Sequence, residues 1–197
     1  MENPQTHVID EASLRRPKMK GVGFVNVRHY VTTLYGNATW KSVLDDLPRH
    51  ERETAEFGLA VGWYEVAAFG RLLRAVDRIC GTGDLSLLRK VGAYEAEQDF
   101  NRVYRIILRT LTPGAFLAAE RRIWKQFQDS GIWDWHYVEG GIRAVLTGWE
   151  VDQALCIEMG GYLIRVIEFT GGRQAFFEHT ECRAIAGSRC TFMLRWR

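Results

Sequence analysis

The sequence predicts an α+β protein, with a helical N-terminal two-thirds packed against an antiparallel sheet. Three observations predict it. From residue 61 to 127 apolar residues recur at three- and four-residue intervals, the period of a helix with one buried stripe. After Gly131 the pattern changes to short runs split by glycines, as in antiparallel hairpins. One more helical stretch lies between two pairs of such runs, so the C-terminal part reads ββαββ.

Composition agrees. The chain has 197 residues, 47% of them hydrophobic and 25% charged. That is enough to bury a core without disulfide staples and excludes a disordered chain. Twenty-six basic and 24 acidic residues leave a net charge of +2, so no global field calls for nucleic acid or a membrane surface. Residues 1–17 form a polar arm ending at Pro17, with no apolar signal segment. The longest nearly apolar stretch, 59–70, contains Glu65 and falls short of the roughly 20 residues that span a bilayer. A cytoplasmic protein with reduced thiols is therefore expected. No linker divides residues 18–197, which are read as a single domain.

The elements come in order along the chain. Residues 20–24 open the domain as an extended segment, and 27–35 and 39–47 are two short helices split at Gly36-Asn37 and stopped by Pro48. Residues 49–58 are polar and fit a surface helix or turn. A stronger helix over 61–80 buries Phe69, Leu72, Leu73, Val76 and Ile79. Gly81-Thr82-Gly83 ends it, and Asp84 is placed to cap the next short helix. The longest helix is expected over 93–111, with Phe100, Val103, Ile107, Leu108 and Leu111 on its apolar face and Glu95, Glu97 and Asp99 on its surface. Thr112 and Pro113 then supply an N-cap and a first-turn proline for a helix that turns Phe116, Ile123, Trp124 and Phe127 inward. Strands over 132–139 and 142–150 flank a Gly140-Gly141 turn. Asp152 caps a helix through Glu168, and strands over 174–181 and 190–196 complete the sheet.

The residues with the most chemistry are Cys156, His179, Cys182 and Cys190. His179-x-x-Cys182 and Cys182-x7-Cys190 put three soft ligands on two strands and their turn, and Cys156 lies on the preceding helix. Three thiolates and one imidazole are a standard set for structural zinc. Strand alternation leaves either His179 or Glu178 to complete the site, because neighbouring side chains face opposite ways. Cys80 stands alone and reads as an inert buried thiol. Trp133 and Trp135 share one strand face, with His136 on the other, and with Trp124, Tyr104 and Tyr162 they are candidate walls of a ligand pocket. Arg71, Arg74 and Arg78 form one stripe and Arg102, Arg105 and Arg109 another, both read as solvated faces. Gly-x-Ser-x-Gly, His-Glu-x-x-His and Gly-x-Gly-x-x-Gly are all missing, so no enzyme is expected. Neither a helix-turn-helix signature nor a phosphate loop occurs, so direct nucleic-acid binding is not expected either.

Cys156, Gly161-Tyr162, His179-Thr180-Glu181-Cys182, Gly187 and Cys190 before an aromatic strand resemble the C-terminal part of the 4-vinyl reductase domain family. That family includes the ligand-binding domains of bacterial activators that sense aromatics. The resemblance implies a TRAPP-like α/β fold, a homodimer, an apolar pocket and a zinc held by three cysteines and an acidic residue; His179 takes the acidic residue's position. At the other end, Lys18-Met19-Lys20-Gly21-Val22-x-Phe24, Tyr30-Val31, Tyr35-Gly36 and Trp40 resemble the opening of bacterial heme-nitric-oxide-binding domains. The Tyr-x-Ser-x-Arg motif of those proteins is missing, and no histidine lies between His50 and His136. Heme is therefore not expected.

Together these readings give a non-enzymatic sensory domain with a structural zinc. It would bind a hydrophobic or aromatic small molecule, form a homodimer and signal through a separate partner protein. The alternatives are a TRAPP-like interaction adaptor, an accessory factor of tetrapyrrole metabolism and a heme-based gas sensor.

Overall fold

The structure is a computed structural model that describes residues 16–100, 108–149 and 152–197. Among these, seven helices and six strands run in the order β1 (Lys18–Lys20), α1 (Val22–Tyr35), α2 (Asn37–Asp45), α3 (Arg49–Phe57), β2 (Trp63–Glu65), α4 (Val66–Cys80), α5 (Leu88–Asp99), α6 (Pro113–Phe127), β3 (Ile132–Val138), β4 (Gly141–Thr147), α7 (Gln153–Phe169), β5 (Phe176–Glu181) and β6 (Cys190–Arg195). This is the α+β arrangement the sequence predicts. No helix among the described residues is long and apolar enough to cross a membrane.

Three differences in the helical part concern where helices begin. The helix expected over 61–80 begins only at Val66, and the segment 63–65 is a strand. It pairs antiparallel with 18–20, Met19 facing Tyr64 across the ladder. Backbone pairing outweighs local helix preference there. The opening extended segment is correspondingly short, and α1 starts at Val22. The helix expected over 93–111 starts earlier, at Leu88, and ends at Asp99 with Phe100 as its C-cap; Val103 and Ile107 lie outside the described residues.

Two of the three caps read from the sequence hold; Asp84 instead accepts from the Ser86 amide at 2.9 Å in the loop before α5, whose N-cap is Leu87. Thr112 Oγ1 accepts from the Ala115 amide at 3.2 Å, with Pro113 in the first turn of α6. Asp152 accepts from the Ala154 amide at 2.8 Å at the start of α7.

Strands β3 to β6 form one antiparallel sheet in the order β3-β4-β6-β5. The β3–β4 turn is one residue displaced from expectation. Val138 pairs with Gly141, so Glu139 and Gly140 make the turn and Gly141 belongs to β4. Gly140 takes φ +71°, which a two-residue hairpin requires. Gly141 is needed for space, since a Cβ there would lie 1.9 Å from the Leu194 carbonyl oxygen.

Helix α7 sits at the centre. Its Gly161 backs onto α5, where a Cβ would meet the Arg89 carbonyl oxygen at 2.0 Å; a Cβ at Gly92 of α5 would meet the Glu158 carbonyl oxygen at 1.9 Å. The two glycines let the helix backbones touch, which brings side chains of α5 and α7 unusually close. The other face of α7 lies on the sheet, Phe177 of β5 packing against Gly160.

Candidate functional site

Two clusters of functional side chains hang from α7, one on each face. On the sheet side, Cys156 of α7 meets His179 of β5, Cys182 just beyond it and Cys190 at the start of β6. One ligand atom from each lies within 4.8 Å of all the others. Cys156 Sγ and Cys190 Sγ are 3.8 Å apart, the edge of a tetrahedron with bonds of about 2.3 Å. The turn after β5 is built around Cys182, whose carbonyl accepts from the amides of Ile185, Ala186 and Gly187 at 3.2, 3.3 and 2.8 Å.

Phase along β5 decides between the two candidate fourth ligands. Glu178 is exposed, whereas His179 turns inward and stacks on Phe192 with ring centres 4.6 Å apart. His179 Nε2 is buried and has no hydrogen-bond partner. Glu181 is engaged elsewhere, accepting from Arg189 at 3.0 Å, which holds its carboxyl below the usual range. The thiols polarise one another. The Cys156 hydrogen bond, with help from His179, pulls the Cys190 thiol down to about 5, while the same contact and burial push Cys156 up. All four cysteines of the chain are free. Half-buried Cys80 is pushed up by burial alone, as befits an unreactive thiol.

On the helix side is a half-open cavity of about 390 Å³ lined by β1, α1, α4, α5, α6, α7 and the start of β3. Its wall is mostly apolar, with Phe69, Phe116, Trp124, Trp133 and Leu163 prominent. Of the predicted pocket residues, Trp124, Trp133 and Tyr162 line it. Trp135 does not; it stacks on Trp133 at 4.8 Å from outside. Tyr104 lies outside the described residues. Three acidic residues that the sequence does not mark as pocket residues also reach the cavity: Glu95 and Asp99 of α5 and Glu158 of α7. The helix surface expected for Glu95 is corrected, for it is only 6% exposed. Its one sequence signal is its place four residues before Asp99, which puts both on one helical face.

The first arginine stripe is not a free solvated face. Arg71 pairs with Glu51, Arg74 with Asp152 and Arg78 with Asp46, so α4 is tied by ion pairs to α3, to the α7 cap and to the end of α2. Arg102 and Arg105 of the second stripe lie outside the described residues. His136 is exposed and bonds Asp134 at 2.9 Å.

No family model and no curated protein matches the sequence. Solved structures do. An H-NOX protein from S. oneidensis aligns at a TM-score of 0.69 and 12% identity, covering 91% of this chain and 99% of that one. One from K. algicida gives 0.67 and 14%, with 91% and 97% covered. An oxygen-binding H-NOX domain related to soluble guanylate cyclases gives 0.62 and 13%, with 91% and 95% covered. The fold is that of H-NOX domains. This overturns the resemblance to 4-vinyl reductase domains, and with it the aromatic-ligand sensor with a structural zinc. The cysteine and histidine spacing that carried that resemblance describes a helix over a strand-turn-strand, a local arrangement more than one fold can hold. The expectation that zinc takes the place of heme is likewise corrected, because the solved proteins of this fold are described in Fe(II) ligation states and by their heme. The N-terminal resemblance, confined to about 30 residues of β1, α1 and α2, pointed to the fold that the whole chain adopts.

Proposed function

We propose that this chain is a sensor domain built on the architecture of the heme-based gas sensors, with the internal cavity as its ligand site. The observation that supports this is the match over essentially the whole of an H-NOX protein, 99% of it, combined with a largely apolar, half-open cavity. Output through a separate partner protein and a homodimeric state belong to the same reading. Sedimentation of the purified chain tests the second.

Heme is the first occupant to try, and its needs are specific. Heme iron is held by imidazole, thiolate, thioether or phenolate. No histidine among the described residues lines the cavity: His29 bonds Tyr94, His50 and His136 are exposed, and His179 is in the cysteine cluster. The described cavity wall offers the thioethers of Met19 and Met159 and the phenol of Tyr162, whose hydroxyl is already committed to Asp99 at 3.1 Å. A histidine-held heme does not fit these residues.

Titration with hemin, read by absorbance, is the test. A Soret band that moves when nitric oxide is added makes the chain a heme gas sensor. No band at all limits the likeness to the fold and leaves the cavity to a ligand of another class. Leu163→Trp, which fills the cavity, should abolish any ligand response; a response that survives it overturns the cavity as the ligand site.

We propose also that Cys156, His179, Cys182 and Cys190 hold one soft metal ion. Their preformed spacing and the orphaned His179 Nε2 support it. Such an ion would lock α7 to the β5–β6 hairpin, and metal analysis of the purified chain tests it.

A further inference from the structure

The described cavity wall carries three carboxylates, and among the described residues no base pairs with any of them. Glu95 and Glu158 are 6% and 8% exposed. Asp99 has both oxygens occupied, accepting from Asn26 Nδ2 at 2.9 Å and from the Tyr162 hydroxyl at 3.1 Å. Glu95 is different: its Oε1 is buried and has no hydrogen-bond partner. Among the described residues no ion pair reaches any of the three. Lys20, the one base on the described wall, gives its Nζ to the Val61 carbonyl at 2.9 Å and lies over the Trp63 ring. Arg165, elsewhere on α7, is held by Glu97 and Glu168.

Buried acids are normally paired, because an isolated charge away from water is very costly. Without a base these groups must keep their protons. Burial, followed by the neighbouring carboxylates, pushes Glu95 far up, and burial followed by Asp99 pushes Glu158 up to about 8. A group held off its ordinary state inside an apolar cavity marks a place for a ligand that completes it.

We propose that the cavity binds an organic cation: a protonated primary amine on a flat apolar body, its ammonium against Glu95 and Glu158 and its body among Phe69, Phe116, Trp124 and Trp133. A primary ammonium brings three donors, and Glu95 Oε1 lacks one. Aromatic faces attract such a cation once it is desolvated. A hard metal cation is less suited, since it wants six or more oxygens while Asp99 is already satisfied and the rest of the wall is largely apolar. Heme would bring carboxylates of its own to a wall that already holds three. The proposal rests on the cavity being the ligand site and departs from heme as its occupant.

The test uses the full chain and two probes of similar size, 2-phenylethylamine and the neutral 2-phenylethanol, followed by calorimetry and by tryptophan fluorescence from the cavity wall. The amine should bind about tenfold or more tighter than the alcohol, the value of a charge-assisted hydrogen bond. Glu95→Gln, which mimics the protonated acid, should narrow that preference, because the amine loses more affinity than the alcohol does. Equal binding of amine and alcohol by the wild-type chain overturns the proposal, and so does no amine binding at millimolar concentration. That comparison needs no variant, so a misfolded mutant does not blunt it. Hemin titration reads a different signal. Amine selectivity without a Soret band supports the cation and sinks the heme; a Soret band with amine-independent hemin uptake does the reverse.

Discussion

Cys156 and Glu158 stand two residues apart on α7 and meet opposite surroundings. Cys156 faces the sheet, where His179, Cys182 and Cys190 converge on it within 4.8 Å. Glu158 faces α5, where it finds two more carboxylates and, among the described residues, no base that pairs with it. One cluster is complementary within itself, a set of soft donors arranged for one ion. The other is frustrated, three like groups in an apolar wall that can be relieved only by protons or by a cation from outside. The difference teaches that a single helix can present self-complementary side chains on one face and like groups that need an outside partner on the other.

The largest expected effect comes from breaking the complementary cluster. Cys190→Ser should cost about 4 kcal/mol, the scale of losing a bound metal, and should remove metal from the purified chain. Urea unfolding and metal analysis read both. Equal stability and no metal in either protein would show that the four side chains are only a packed core.

Next is the helix contact that brings the carboxylates together. Gly92→Ala places a Cβ against the Glu158 carbonyl and should cost about 3 kcal/mol by overpacking. Metal content should not change, because the cysteine cluster lies on the other face of α7. Loss of both together would show that the two faces are coupled.

Smaller is a pH effect confined to the frustrated cluster. Glu158, facing Glu95, Asp99 and Tyr162, keeps its proton to about 8 when folded, against an ordinary 4.5. The folded state thus holds a proton that the unfolded chain has released. Stability should be full below 4.5 and fall as the pH rises through about 8. Thermal melts across that range check it, and Glu158→Gln should flatten the decline. The smallest effect is expected at Glu178→Ala, within about 0.5 kcal/mol of the wild-type chain, with metal retained. A large loss there would return Glu178 to the metal site in place of His179.

The sequence showed the architecture and the cysteine cluster for the same reason. Helical periodicity, glycine breaks and the Thr112 and Asp152 caps are local, and so is the spacing His179-x-x-Cys182-x7-Cys190. Where reading failed, the deciding contact was distant. β2 is a strand because residues 18–20 lie beside it. Arg71, Arg74 and Arg78 look solvated until Glu51, Asp152 and Asp46 come to meet them. The family was misjudged because a ligand spacing that more than one fold can hold was weighted above a short N-terminal pattern.

By itself, then, the sequence determined an α+β chain, two of its helix caps, its hairpins and four soft ligands in reach of one another. Tertiary structure alone decided that Glu95 is buried and that it shares a cavity with Asp99 and Glu158. Those residues sit on helices separated in sequence by α6 and a β-hairpin, and they meet only because Gly92 and Gly161 let two backbones touch. Burial and charge proximity depend on that contact, and no local pattern records it.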